Sequence, residues 1–103
     1  MRSRGSRIRR GSLTAIHLAD GPEGQTRIAF AVNKRIGGAV VRNRLRRRIR
    51  AILDDLDRSQ PALLPGGALL LAPTADAVQC SPDELRNDVM RVLEAIASRR
   101  TGR

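Results

Sequence analysis

Residues 34–53 read KRIGGAVVRNRLRRRIRAIL. Eight of these twenty side chains are Lys or Arg, yet an apolar repeat of helical period runs through them. Val41, Leu45, Ile49, Ile52 and Leu56 recur at steps of four or three. At about 100° per residue they fall along one stripe. Asn43, Arg46, Arg47 and Arg50 take the opposite side, Arg42 and Arg44 flank the stripe, and Arg48 sits close to it. The spacing predicts a helix from about Ala39 to Leu56 that buries one face and presents guanidinium groups on the other. Like charges four apart (Arg42, Arg46 and Arg50; Arg44 and Arg48) weaken a helix, so a purely structural helix gains nothing from them. They suit a polyanion, because the planar guanidinium fork pairs two phosphate oxygens at once.

The charge of the whole chain points the same way. Its 103 residues allow one domain with a modest core. The net charge of +10 is unevenly spread: residues 1–50 hold 14 Lys/Arg and 2 Asp/Glu, whereas residues 51–103 hold 6 and 8. A basic half favours a binding surface over general solubilisation, with nucleic acid the leading partner and a membrane surface the lesser one. The longest apolar runs, such as Gly66 to Ala72, are far too short to span a bilayer. The N-terminus, MRSRGSRIRRG, is basic but precedes no apolar segment of signal-peptide length. One cysteine, Cys80, excludes an intrachain disulfide and a multi-cysteine metal site, and fits a cytoplasmic location.

Catalytic chemistry is not legible. Phosphodiester hydrolysis by a protein needs a general base, a nucleophile or metal-held water, and charge stabilisation. Asp54, Asp55 and Asp57 close one helix, and Asp83, Glu84 and Asp88 open another, so both sets read as surface or cap residues. His17 reads as a half-exposed strand residue without a nucleophile beside it. No catalytic or metal-ligating residue is assigned. Phe30, the sole aromatic, belongs with Ile28 and Val32 on a core face, so the chain lacks the stacking platforms of many single-strand binders.

Along the chain, residues 1–11 read as a basic arm, residues 12–98 as one α+β domain and residues 99–103 as a frayed tail. Ser12 to Ala19 and Thr26 to Asn33 alternate as strands, and the turn-rich Asp20-Gly21-Pro22-Glu23-Gly24 is expected to close them into a hairpin. Small residues Ala29, Ala31 and Asn33 on the reverse of the second strand leave room for a nucleic-acid backbone. Ser59 to Gly67 is a loop, ALLLA at 68–72 a buried strand, and Pro73 to Gln79 another loop. Ser81-Pro82-Asp83-Glu84 is a helix start, with Ser at the N-cap, Pro first in the helix and Glu three after the cap. Leu85, Val89, Val92, Leu93 and Ile96 give that helix its apolar face. The order implies a small sheet with helices packed on one face.

Lys34-Arg35, the Gly37-Gly38-Ala39-Val40-Val41 approach and Arg42-Asn43-Arg44 followed by Arg46, Arg47 and Arg50 resemble the signature of the bacterial ribonuclease P protein family. The resemblance extends over roughly residues 5–97, with the hairpin from Gly5 to Lys34, the strand near Leu69–Leu71 and the Ser81-capped helix in the family's order. It implies a ribosomal protein S5 domain 2-like fold with a left-handed connection through the basic helix. It also implies a protein cofactor of ribonuclease P, the RNA-based endoribonuclease that removes the 5′ leader from precursor transfer RNA. Catalysis would reside in the RNA subunit with its Mg2+, and the protein alone would be inactive. The expected partners are that RNA and the precursor, with no membrane and no obligate protein partner. Lys34, Arg35, Arg42, Asn43, Arg44, Arg46, Arg47 and Arg50 would meet the RNA. Thr14, Ile16, Ala29, Ala31 and Asn33 would belong to the leader cleft.

Four departures from the family pattern stand out. The aromatic N-terminal helix that lines the cleft is expected to be missing, since Met1 falls almost where it should end; either the true start lies upstream or the protein is shortened. Ile16 stands where an aromatic is frequent, Gly38 where Asn is frequent, and Pro73-Thr74 where a basic residue is common. Two other readings are a small ribosomal or RNA-chaperone protein and an autonomous metal-dependent nuclease.

Overall fold

Alternation along residues 13–18 sets the sheet. Leu13, Ala15 and His17 are buried on one face, while Thr14, Ile16 and Leu18 are half-buried on the other. In the computed structural model, which describes residues 5–18 and 26–101, this segment is strand β2 (Leu13–Leu18), preceded by β1 (Gly5–Arg10). There follow β3 (Thr26–Phe30), helix α1 (Ala39–Ser59), β4 (Gly67–Pro73) and helix α2 (Pro82–Thr101). Short 3-10 turns occupy Lys34–Ile36, Pro61–Leu63 and Ala75–Gln79. The fold is α+β, as the pattern predicts.

The strand order is β1-β2-β4-β3, antiparallel except for the parallel pair β3 and β4. Two expectations fail here. Residues 5–10 are not an arm: β1 pairs with β2 along its length, from Gly5 opposite Leu18 to Arg10 opposite Leu13. Ile8 is the inward residue that anchors it, at 2% exposure. Nor do β2 and β3 form a hairpin, because β4 lies between them; the turn 20–24 itself is outside the described residues. The hairpin is β1–β2, closed by Gly11-Ser12, with Gly11 at φ +58°. The expected tail is also helical as far as Thr101.

Helix α1 lays Leu45, Ile49, Leu53 and Leu56 into the core. Leu53 rather than Ile52 completes the stripe, because a step of four from Ile49 turns the side chain about 40° and a step of three about 60°; Ile52 is half-buried. Pro61 follows the helix end, where Gln60 N–H donates to Leu56 O at 2.7 Å. Helix α2 opens with the predicted reciprocal cap: Ser81 N–H donates to Glu84 Oε1 at 2.8 Å, and Glu84 N–H to Ser81 Oγ at 3.2 Å. Its Leu85, Val89, Val92, Leu93 and Ile96 join Leu13, Leu69 and Leu71 of the sheet in one core.

Asp88, buried at 9% exposure, ties α2 to the β1–β2 turn. Its Oδ2 accepts from Ser12 N–H at 3.0 Å and from Ser12 Oγ at 2.7 Å. The turn passes so close that a Cβ on Gly11 would clash with the Asp88 carboxylate. Asp88→Ala leaves two buried donors unmatched and is expected to cost about 2 kcal/mol in urea unfolding. Gly11→Ala should cost at least as much, since clash and positive φ add; a variant as stable as the parent would refute this account of the turn.

Candidate nucleic-acid interface

After β3 the chain stays extended, with Ala31 N–H donating to Leu71 O at 2.9 Å. Asn33 then turns it. Its Oδ1 accepts from Arg35 N–H at 2.8 Å and its carbonyl from Ile36 N–H at 3.0 Å. This closes the turn that carries Lys34 and Arg35, both exposed, while Ile36 packs on the core. Gly37 runs against α1, where a Cβ would meet Val41 Cβ at 3.0 Å. Helix α1 starts at Gly38 with no side-chain cap and no acidic residue in its first turn, so the positive end of its dipole adds to the arginines.

Burial of the stripe then places the cations. Asn43, Arg44, Arg47 and Arg50 are exposed; Arg42 and Arg46 are half-buried. Short bonds steer several of them. Arg42 Nε donates to Gly37 O at 3.1 Å, and Arg46 Nη1 donates to Asn43 Oδ1 at 2.6 Å. The Arg50 guanidinium lies over the Phe30 ring, 5.4 Å from its centroid. Among the described residues, no carboxylate pairs with Lys34, Arg35, Arg42, Arg44, Arg46, Arg47 or Arg50. Asp55 instead reaches across to Arg86 of α2 at 2.7 Å and contacts Arg58 at 3.7 Å. The expected Asn43 contact surface is thus partly spent on Arg46, since the Asn oxygen already accepts.

Two neighbours escaped sequence reading. Arg48, close to the stripe by angle, is structural: its Nη2 donates to Cys80 O at 2.8 Å. Val40 is 69% exposed among the arginines; its place one residue off the stripe was the available signal.

The opposite face of the sheet holds the second group. Thr14, Ile16, Ala31 and Asn33 line one open groove of about 560 Å3, with Arg7 and Leu70. Ala29 is exposed on the same face and lies in register with Leu70, but outside the groove wall. Asn33 therefore belongs to both surfaces. His17 is on neither: it is buried at 4% exposure, not half-exposed, and its Nε2–H donates to Gly66 O at 2.7 Å. Among the described residues, no three His, Cys, Asp or Glu side chains gather closely enough to share a metal ion. No described helix is long and apolar enough to cross a membrane.

A family-wide sequence profile described as Ribonuclease P matches residues 1–97. The chain belongs to the ribonuclease P protein family. It is 36% identical over 92 residues to the ribonuclease P protein component of Thermus aquaticus, covering 89% of this chain and 52% of that one. Against the Beutenbergia cavernae component the identity is 37% over 85 residues, covering 82% and 69%. The chain thus spans about half the length of the Thermus relative. The fold is shared with the RNase P protein from Thermotoga maritima, with a TM-score of 0.74 at 19% identity over 88% of this chain and 83% of that one. A Staphylococcus aureus RNase P protein mutant with defective mRNA degradation activity gives 0.75 at 17%, over 90% and 75%.

Exposed and tethered arginines should separate in stability. Arg44→Ala and Arg47→Ala are expected to shift urea unfolding by less than about 0.5 kcal/mol. Arg48→Ala, which strands the Cys80 carbonyl, should cost about 1–2 kcal/mol. Equal losses at all three positions would show the helix face to be structural throughout.

Proposed function

We propose that this chain is the protein cofactor of a ribonuclease P ribonucleoprotein, acting in the cytoplasm on precursor transfer RNA. In this reading Lys34, Arg35, Arg42, Asn43, Arg44, Arg46, Arg47 and Arg50 bind the catalytic RNA. The open groove on the other side of the sheet receives the single-stranded 5′ leader. The observation that carries the reading is a guanidinium face without carboxylate partners among the described residues, on a helix anchored by its other side, in a chain of this family.

Hydrolysis is assigned to the RNA and its Mg2+. Among the described residues no His, Cys, Asp and Glu side chains gather into a cluster suited to that ion. The protein instead contributes cationic charge, which lowers repulsion between the catalytic RNA and its substrate and so favours binding of both substrate and magnesium. With about six phosphate contacts, log affinity for the RNA subunit should fall with log salt at a slope of roughly −4 to −5.

Reconstitution tests the reading. Chain plus ribonuclease P RNA at low magnesium should process precursor transfer RNA faster than the RNA alone. Arg42→Ala or Arg44→Ala should weaken assembly by about 1–3 kcal/mol each, with circular dichroism unchanged. RNA-free protein with magnesium should leave the precursor intact at any concentration; cleavage by it would overturn the assignment.

A further inference from the structure

Strand β1 carries a basic feature that docking through α1 leaves unused. Arg7 and Arg9 alternate with the buried Ile8, so both project from the open face of the sheet. Both are exposed, and neither has an acidic partner among the described residues. Two residues along a strand span about 7 Å, a spacing of the order of successive phosphates in an extended single strand. The register sets Arg7 beside Ile16, with Leu70 next in the row, and Arg9 beside Thr14, with Ala72 next.

The floor next to these arginines is aliphatic or small, and among the described residues none that lines the groove is acidic or aromatic. Phe30, the only aromatic of the chain, packs on the core side of the sheet under Arg50. Bases stack on aromatic rings or on free guanidinium planes; Ile16, Leu70 and Ala72 offer neither, and a guanidinium forked onto phosphate oxygens is no longer free to stack. Guanidinium–phosphate contacts fix position without reading sequence.

We infer that Arg7 and Arg9 form a phosphate track along the β1 edge of the groove, and that single-stranded RNA is held there by its backbone with no base stacked on the groove's described residues. The inference rests on the reading of this groove as the leader site. It makes the grip depend on leader charge and length, and indifferent to leader sequence.

The test uses the full chain reconstituted with ribonuclease P RNA. Affinities are compared for precursor transfer RNA with an ordinary leader, with a leader of abasic nucleotides, and for leaderless transfer RNA as the reference. The abasic leader should keep its advantage over the leaderless reference to within about twofold. The double variant R7Q/R9Q should lose most of that advantage, and its salt slope for leader-bearing substrate should be shallower by about 1.4, at ~0.7 per phosphate contact. R7K/R9K should retain both. An abasic leader that binds no better than a leaderless substrate would overturn the inference, and that arm needs no variant. So would an R7Q/R9Q holoenzyme with undiminished advantage and slope. A wild-type chain that neither binds the RNA subunit nor aids processing would sink the ribonuclease P reading, and this inference with it.

Discussion

Everything in this molecule depends on the burial of one side of α1. Leu45, Ile49, Leu53 and Leu56 are each exposed by 2% or less. Removing such a side chain from water contributes about 1.5–3 kcal/mol. Repulsion between like charges four apart on a helix costs only about 0.2–0.5 kcal/mol per pair. Burial therefore wins over the crowding of six arginines within nine residues, and a single rotation of the helix about its axis is permitted. That rotation decides where the cations go. The same logic orients β1, where Ile8 alone fixes which way Arg7 and Arg9 face.

The two basic surfaces meet at Asn33. Its side chain holds the turn bearing Lys34 and Arg35, and it also lines the groove on the far side of the sheet. A short rigid stretch, from Ala31 bonded to β4 to the start of α1, thus links a helix face to a sheet face. Polar bonds lock the frame around it. Arg48 ties α1 to the segment before α2, Asp55 pairs with Arg86 of α2, and Asp88 holds the β1–β2 turn. Arg48 looks like a member of the same charge pattern as the binding residues, yet it is consumed by the fold.

What the sequence could reveal follows the range of the interactions. The basic helix and the Ser81–Glu84 cap rest on contacts three or four residues apart, and both stand in the structure as read. Strand pairing is non-local. The turn residues at 20–24 suggested a hairpin, but β4, some fifty residues on, takes the place beside β2. The basic composition of residues 5–10 hid a strand, because Ile8 is the one aliphatic side chain in GSRIRR to mark its inward face. His17 is buried because a carbonyl 49 residues away accepts its proton, which no local pattern announces. Of the candidate site, the exposed arginines were legible from helical angle alone. The tethering of Arg48 and the pairing of Asn43 with Arg46 depend on atomic reach.

The most direct measurement is arginine-specific chemical footprinting read by mass spectrometry, on the free chain and on its complex with ribonuclease P RNA. Arg35, Arg44 and Arg47 should react readily in the free protein and become protected in the complex, while Arg48 and Arg86, held by partners within the fold, react slowly in both. Unchanged reactivity of Arg35, Arg44 and Arg47 on saturation with the RNA would contradict the account, because the outward face of α1 would then not be where the RNA binds.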